Sequence, residues 1–161
     1  MNKPTSILKL IICIGICESA GIVGSLFTIP AIPTWYESLV QPSFRPPNWV
    51  FSPVWITLYL LMGLSAFLLW NKTETLKKEL NAISAFGLQL ILNVFWSVAF
   101  FGFRSPLVGM LVILLLVASI LWMIAAFYRI SRPAAYLQIP YLLWVGFASV
   151  LNASILVLNT P

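Results

Sequence analysis

Five long apolar runs dominate the pattern of hydrophobic and polar positions along the chain, and short polar or proline-rich stretches separate them. A helix needs about 20 residues to cross the hydrocarbon core of a bilayer, and each run is long enough. Because lipid offers no hydrogen-bond partner to an open backbone, inserted segments of this kind are helical. The pattern therefore predicts five transmembrane helices, at residues 6–27, 47–70, 80–103, 106–128 and 133–158.

The first connection differs from the other three, which are short and leave little room for a soluble domain. It covers residues 28–46, contains four prolines with Pro47 directly after them, and carries the aromatic pair Trp35-Tyr36. Proline fixes φ and restricts the residue before it, so this stretch is stiff. A long ordered loop with aromatic residues is typical of a lid. We predict an all-α integral membrane protein: a five-helix bundle with a long ordered first loop, in a single domain covering residues 1–161.

The composition supports a membrane protein and excludes several kinds of chemistry. Hydrophobic residues make up 61% of the chain and charged residues only 8%, whereas a soluble domain has about a quarter charged residues. The absence of histidine removes Ser-His and Cys-His catalysis and imidazole metal sites, so we expect no conventional catalytic residue and no metal. Cys13 and Cys17 are four residues apart in an apolar run, which favours two buried small side chains over a redox or zinc site.

The cations indicate topology rather than nucleic-acid binding, because they are scattered at the ends of the apolar runs and form no stripe. With five spans, the N-terminus and the second and fourth connections lie on one side of the membrane. That side holds seven cationic residues: Lys3, Lys9, Lys72, Lys77, Lys78, Arg129 and Arg132. The other side holds two, Arg45 and Arg104. The bias predicts a cytoplasmic N-terminus and an external C-terminus, and the compact termini, which resemble bacterial ones, favour a multi-pass protein of the plasma membrane. We interpret the first run as a retained span, since it exceeds the length of a signal peptide and Glu18 interrupts it.

Aromatic and amide side chains share one face on each of three predicted helices. The stripes are Phe51, Trp55 and Tyr59; Gln89, Asn93, Trp96 and Phe100; and Trp144, Ala148 and Asn152. Amides inside a membrane are costly unless paired, so Gln89, Asn93 and Asn152 should face the bundle. Two interpretations stay open: the amides join neighbouring helices, or they are the placed polar groups of an aromatic pocket for a planar ligand.

The first helix contributes Glu18, the one acid well inside a predicted span. We expect it to be neutral or hydrogen-bonded to a facing amide or carbonyl, although an intramembrane acid is also a candidate functional group. The pairs Ala20/Gly24 and Gly21/Ser25 have small-xxx-small spacing, which favours close approach of a neighbouring helix over a ligand site.

The chain resembles the translocator-protein family, also called tryptophan-rich sensory proteins or peripheral-type benzodiazepine receptors, from the first loop to the last helix. The residues that carry the resemblance are Trp35-Tyr36, Pro42, Pro46-Pro47-x-Trp49-Val50-Phe51, Pro53-Val54-Trp55, Leu58-Tyr59, Met62-Gly63, Gln89-Leu90-x-Leu92-Asn93-x-x-Trp96-Ser97, Phe100-Phe101, the run from Pro140 to Ala148, and Leu151-Asn152.

The resemblance implies a five-helix fold, a homodimer in the lipid bilayer, and a pocket beneath the first loop that binds porphyrins, above all protoporphyrin IX. It implies no required cofactor, the porphyrin being a ligand, and no nucleic-acid partner. The ligand-binding residues it implies, together with the aromatic pair of the loop, are Trp35, Tyr36, Pro46, Phe51, Trp55, Tyr59, Asn93, Trp96, Trp144, Ala148 and Leu151. Two of them, Trp55 and Trp144, match tryptophans linked to light-dependent porphyrin breakdown in some members.

Two family features are missing. Many members have an acidic residue early in the fourth helix, where this chain has Met110, Leu111 and Val112. The proposed cholesterol motif of animal members needs a Tyr and a base at the end of the fifth helix, and this chain ends ILVLNTP. We therefore predict no sterol role.

Three hypotheses about function follow, beside a purely structural role. The leading one is a membrane tetrapyrrole-binding sensor or regulator of tetrapyrrole or stress metabolism. The second is a light- and oxygen-dependent porphyrin-degrading enzyme in which Trp55 and Trp144 take part in electron transfer. The third is a transporter of tetrapyrroles or small metabolites, for which Glu18 is the one candidate proton relay inside the membrane. We expect a binding protein rather than an enzyme.

Overall fold

Helices make up nearly all of the chain that the computed structural model describes, which is residues 3–72 and 75–160. Side chains are described from Ser6 onward in these ranges, so the Lys3 side chain, which entered the charge count, lies outside the described part. The helices are α1 (Lys3–Ala31), α2 (Asn48–Trp70), α3 (Leu76–Ser97), α4 (Pro106–Tyr128), α5 (Arg132–Tyr136) and α6 (Ile139–Leu158). Five-residue π-helical turns follow α1 at Ile32–Tyr36 and α3 at Val98–Gly102.

The prediction of five transmembrane helices is confirmed, because the described residues contain five helical runs long and apolar enough to cross a membrane. Helix α4 begins and ends at the predicted residues. Ser105 caps it by accepting a hydrogen bond from the backbone N–H of Val108 at 3.3 Å. Pro106 follows in the first turn, where no intrahelical N–H donor is needed.

The predicted end of the first helix at Phe27 is wrong, and the first loop is shorter than predicted. Helix α1 passes through Pro30, and the π-helical turn continues it to Tyr36. A proline ring removes one backbone hydrogen bond and crowds the preceding turn, and a widened turn accommodates both effects. Trp35 and Tyr36 therefore lie on a helical extension, and the irregular loop covers only residues 39–47.

Two other boundaries differ from the prediction for local reasons. Helix α3 begins at Leu76 rather than at residue 80, because its charged first turn is helical although it is not apolar. The predicted run 133–158 consists of two helices, α5 and α6, separated at residues 137–138. The break directly precedes Ile139-Pro140, and Pro140 occupies the first turn of α6, where its missing N–H costs nothing.

Glycines let α1 and α2 approach closely. A Cβ on Gly63 would lie 2.7 Å from the Cα of Ile14, and a Cβ on Gly21 would lie 2.5 Å from the ring of Tyr59. Helix α4 packs against α3 and α6 and supplies much of the buried core. Helix α5 is joined to α2 where the Ser65 hydroxyl donates a hydrogen bond to the carbonyl of Ala134 at 2.6 Å.

The outer surface of the bundle is apolar. Large side chains such as Ile11, Leu26, Ile91, Leu115 and Leu143 are exposed along the helices. Exposed apolar surface of this extent is unfavourable in water and suits lipid. The fold is that of a multi-pass membrane protein.

Candidate functional site: an aromatic cavity under the first loop

A cavity of about 330 Å³ lies between α1, α2, α3, the second π-helical turn and α6. It extends from the middle of α1 and α2 to the first π-helical turn. Its wall consists of Glu18, Gly21, Ile22, Gly24, Ser25, Thr28, Ile29, Ile32, Tyr36, Asn48, Phe51, Ser52, Trp55, Ile56, Tyr59, Trp96, Ser97, Phe100, Phe101, Trp144, Ala148, Leu151, Asn152 and Ile155. The volume is within the range of small-molecule sites.

Eight of the 24 wall residues are aromatic, and several of their rings contact one another. Trp55 stacks on Tyr59 with 5.6 Å between ring centroids and 27° between planes, and Trp96 stacks on Phe100 at 5.5 Å and 22°. Phe51 meets Trp144 edge to face at 6.0 Å. The indole rings of three separate helices thus converge on one cavity. Such flat, polarisable surfaces suit a planar conjugated ligand.

A buried hydrogen-bond chain fixes the deepest ring of the wall. The Tyr59 hydroxyl donates to the Asn93 side-chain oxygen at 2.5 Å, and the Asn93 amide nitrogen donates to the Tyr141 hydroxyl at 2.9 Å. Asn93 is only 2% exposed and lies behind the wall rather than in it. Its role in the structure is to hold Tyr59 in position.

Asn152 orients a second ring from within the wall. Its amide nitrogen donates to the carbonyl of Pro106 at 2.8 Å, and its side-chain oxygen accepts from the Trp96 indole N–H at 3.5 Å. The predicted inward orientation of the three amides is confirmed, since Gln89, Asn93 and Asn152 are all 2% exposed or less. The first interpretation is confirmed for Asn93 and Asn152, which join helices through hydrogen bonds. Of the three amides only Asn152 lines the cavity, and its contact with a ligand stays a prediction.

Helix α1 forms the opposite side of the cavity, with small residues and one acid. The close contacts of Gly21 with Tyr59 and of Gly24 with the Ser97 hydroxyl confirm that the small-xxx-small spacing brings helices together. The same two glycines line the cavity. Glu18 Oε1 is buried there and has no hydrogen-bond partner among the described residues, so the expected bond to a facing amide or carbonyl is not formed.

Polar contacts lie at the end of the cavity next to the loop, which is its outer end. The Arg45 guanidinium lies 4.8 Å from the centre of the buried Tyr36 ring and donates to the side-chain oxygen of Asn48, which lines the cavity. The amide nitrogen of Asn48 donates in turn to the Glu37 carboxylate at 2.9 Å. The loop therefore covers Tyr36 as the predicted lid would.

The end of α6 holds this loop in place. Val40 donates its backbone N–H to the side-chain oxygen of Asn159 at 2.9 Å, and its carbonyl accepts from the Asn159 amide nitrogen at 3.0 Å. One amide thus satisfies both backbone groups of a loop residue. The pair joins the lid to the last helix although the two residues are far apart in sequence.

The structure brings eight of the eleven predicted site residues into the cavity wall: Tyr36, Phe51, Trp55, Tyr59, Trp96, Trp144, Ala148 and Leu151. It leaves three outside the wall. Trp35 packs behind it against Phe100 at 5.4 Å, Pro46 is half-buried in the loop, and Asn93 supports Tyr59. Apart from Glu18, which was named as a candidate functional group, the wall residues of α1 were missed. They carry no aromatic or amide stripe, and the small ones among them indicated helix contact instead.

Comparison with known proteins gives a consistent result. The family model described as the TspO/MBR family matches residues 13–158. A tryptophan-rich protein TspO from Chlorobaculum tepidum is 46% identical over 160 residues, which cover 99% of each chain. The translocator protein of Homo sapiens is 38% identical over 133 residues, covering 81% of this chain and 78% of the relative. A tryptophan-rich sensory protein from Cereibacter sphaeroides is 34% identical over 128 residues, covering 78% and 77%.

Proposed function

The chain belongs to the TspO/MBR family of membrane proteins, and from this premise we propose that it binds tetrapyrroles, above all protoporphyrin IX, in the aromatic cavity. Binding would make it a sensor or regulator of tetrapyrrole or stress metabolism. The observation that carries the proposal is the convergence of Trp55, Trp96 and Trp144 on one cavity of about 330 Å³.

The physical basis of binding is apolar burial of a planar ring system between stacked aromatic side chains. The wall of α2 presents Trp55 on Tyr59, and the wall of α3 presents Trp96 on Phe100, each pair nearly parallel. Ring-on-ring contact adds about 0.5–1.5 kcal/mol per pair beyond the burial of area. Because the rings are already fixed by Asn93 and Asn152, little entropy is lost when a ligand enters.

The outer end supplies the groups that fit porphyrin carboxylates. Arg45 lies over Tyr36, beside Asn48, and its Nε is buried without a hydrogen-bond partner among the described residues. A guanidinium pairs well with a carboxylate. We therefore orient the propionate edge of the porphyrin toward the loop and the apolar edge toward the middle of the membrane.

Titration of the purified protein with protoporphyrin IX tests the proposal. We expect saturable quenching of tryptophan fluorescence and a shift of the porphyrin absorbance. Because each substitution removes ring surface, Trp55→Phe and Trp144→Phe should each raise Kd by about threefold to tenfold, or roughly 1 kcal/mol. Trp70→Phe is the matched control, since Trp70 lies outside the cavity under Lys9. Non-saturable quenching, or equal effects of all three substitutions, would contradict the proposal.

A second candidate function is light- and oxygen-dependent breakdown of the bound porphyrin. It is favoured by the presence of both Trp55 and Trp144 in the wall, where each could exchange an electron with an excited ligand. Under illumination in air, the complex should then lose porphyrin absorbance faster than porphyrin in detergent alone. A rate unchanged in the Trp55→Phe/Trp144→Phe double variant would remove this candidate.

We also propose a plasma-membrane location, a cytoplasmic N-terminus and a homodimer. The orientation rests on the charge distribution of the connections, and the dimer rests on family resemblance. Native mass spectrometry of the protein extracted in mild detergent tests the dimer, and a purely monomeric species would contradict it.

A further inference from the structure

Glu18 places a carboxyl group in the half of the cavity that is farther from the loop, its inner half, and the tetrapyrrole proposal gives this group no role. It is the one carboxyl-bearing residue in the described wall, and no Lys or Arg lines that wall. Its Oε1 is buried and has no hydrogen-bond partner among the described residues. An acceptor left unpaired away from water costs free energy, and a turn of the carboxyl group toward the cavity would let a bound donor recover it.

Three hydroxyl groups of the wall cannot supply that donor, because they use their hydrogens elsewhere. The Tyr59 hydroxyl donates to Asn93, the Ser25 hydroxyl donates to the carbonyl of Ile22 at 2.7 Å, and the Thr28 hydroxyl donates to the carbonyl of Gly24 at 3.1 Å. Each of these hydroxyl oxygens still has acceptor capacity. The side of the cavity around α1 therefore offers acceptors to a ligand and few donors.

The indole N–H on the facing wall is also used within the protein. Trp96 donates its Nε1 hydrogen to the side-chain oxygen of Asn152 at 3.5 Å. At the outer end, the Asn48 amide nitrogen donates to Glu37, and Arg45 provides positive charge. The cavity thus has opposite preferences at its two ends: anionic groups toward Arg45 and donor groups toward Glu18.

We propose that Glu18 is the binding site for a hydrogen-bond donor, an ammonium or an exposed N–H, carried on the inner edge of a planar apolar ligand. This inference rests on the planar-ligand cavity of the proposed function and adds a second ligand class to it, because protoporphyrin IX with its propionates toward the loop carries only vinyl and methyl groups on its inner edge. An ammonium in contact with Glu18 favours the ionised form of the carboxyl group and forms with it the strongest contact open to a carboxylate. The same carboxylate disfavours a ligand that carries acid on its inner edge.

Three pyrene probes test this, because they share one four-ring body and differ only at a short arm: 1-pyrenemethylammonium, 1-pyrenemethanol and 1-pyrenecarboxylate. Binding is measured by energy transfer from tryptophan to pyrene in phosphatidylcholine nanodiscs, with empty nanodiscs as background. We expect the ammonium probe to bind at least about tenfold more tightly than the carboxylate, the factor that one charge-assisted hydrogen bond supplies.

Substitutions at Glu18 identify the group responsible. Glu18→Gln keeps the shape of the side chain. It should raise the Kd of the ammonium probe about tenfold and change the Kd of the alcohol probe by less than about threefold, a difference that one lost charge-assisted bond supplies. Glu18→Asp should retain part of the preference. Glu79→Gln removes the same charge in the first turn of α3, outside the cavity, and should leave the Kd of both probes unchanged. Unchanged binding of the alcohol shows that the variants are folded.

The outcomes separate this inference from the proposed function. If no pyrene probe gives saturable binding to the wild-type protein, the planar-ligand cavity itself is contradicted and the inference is lost with it. If the probes bind but Glu18→Gln leaves the ratio of ammonium to alcohol affinity unchanged, the cavity remains and only the role of Glu18 is overturned.

Discussion

Individual buried polar side chains fix the aromatic rings of the cavity from behind. Asn93 holds Tyr59 and Tyr141, and Asn152 holds Trp96 against the start of α4. A ring in a lipid-embedded bundle has many apolar contacts but little that determines its rotation. A hydrogen bond to an amide fixes the rotation of the ring, so the wall already has the arrangement that a flat ligand needs.

Asn93→Leu is therefore expected to destabilise the protein. The substitution keeps the volume approximately but leaves the Tyr59 and Tyr141 hydroxyls without their amide partner, at about 1–3 kcal/mol in the free energy of unfolding. Thermal unfolding in detergent measures the loss. Ser154→Ala is the control, since Ser154 is partly exposed and, among the described residues, its hydroxyl bonds to the carbonyl of Val150 in its own helix. An Asn93 variant as stable as the control would show that the hydroxyls find other partners.

The same network makes a prediction about binding. Tyr59→Phe removes one hydroxyl from the wall and frees the ring from Asn93 without removing aromatic surface. We expect a Kd for protoporphyrin IX raised by about twofold to fivefold, since a hydrogen bond inside a membrane protein averages about 0.6 kcal/mol and reaches at most about 1.7. Absorbance titration measures it, and a tighter complex would contradict the view that the bond prepares the wall.

At the scale of the helices, the sequence predicts the boundaries that the length of an apolar run and a capping signal determine. It misses the boundaries that packing between helices determines. Helix α4 is predicted to the residue because Ser105-Pro106 is a clear start signal. The extension of α1 past Pro30 is missed because the chain accommodates its prolines in a π-helical turn packed against Phe100 and Phe101. Local sequence gives no sign of that outcome.

The residues of the candidate site were likewise predicted only in part from the sequence. The stripes on α2, α3 and α6 are visible in sequence because Trp and amide residues recur at helical spacing. The contribution of α1 is not visible, since Gly21, Gly24 and Ser25 are equally consistent with simple helix contact. The position of Asn93 one layer behind the wall also escapes prediction, because periodicity gives the face of a helix but not its distance from a cavity.

Helix contact predicts the effect of glycine substitutions. Gly63→Ala would place a Cβ 2.7 Å from the Cα of Ile14, a backbone atom that cannot move alone, so α1 and α2 must separate. We expect a loss of about 1–3 kcal/mol in the free energy of unfolding. Gly15→Ala is the control, since nothing lies within 4 Å of its new Cβ and alanine favours helix by up to about 1 kcal/mol. Thermal unfolding that ranks the two variants the other way would contradict this helix contact.

The connection between the lid and α6 predicts a change in local dynamics. Asn159→Ala removes both hydrogen bonds to the backbone of Val40. The Val40 amide should exchange its hydrogen about tenfold faster, because about 1.4 kcal/mol of local protection is lost. Hydrogen exchange read by mass spectrometry measures it. Thr160→Ala is the neighbouring control, since the Thr160 hydroxyl bonds to the carbonyl of Leu156 in the last turn of α6 and to no other group in the described ranges.

For the whole molecule, orientation across the membrane decides which solution the lid faces. Helices of similar apolarity insert equally well in either direction, so the fold does not set the orientation. The cations at the helix ends do, with seven on the side of the N-terminus and two on the side of the lid. In the described structure, Lys72 follows the end of α2, Lys77 and Lys78 lie in the first turn of α3, and Arg45 lies in the lid.

Reporter fusions in a bacterial host test this orientation. Alkaline phosphatase fused to the C-terminus should be active, because it folds outside the cytoplasm, and green fluorescent protein at the same position should stay dark. Replacing Lys72, Lys77 and Lys78 with Gln reduces the bias to four against two and should produce a mixed population. The Lys9→Gln variant, which leaves six against two, should keep the wild-type orientation. Fluorescence from the C-terminal fusion of the wild-type chain would place the lid, and the Arg45 end of the cavity, on the cytoplasmic side. A ligand made in the cytoplasm would then meet the lid first rather than reach the cavity from the lipid or from outside.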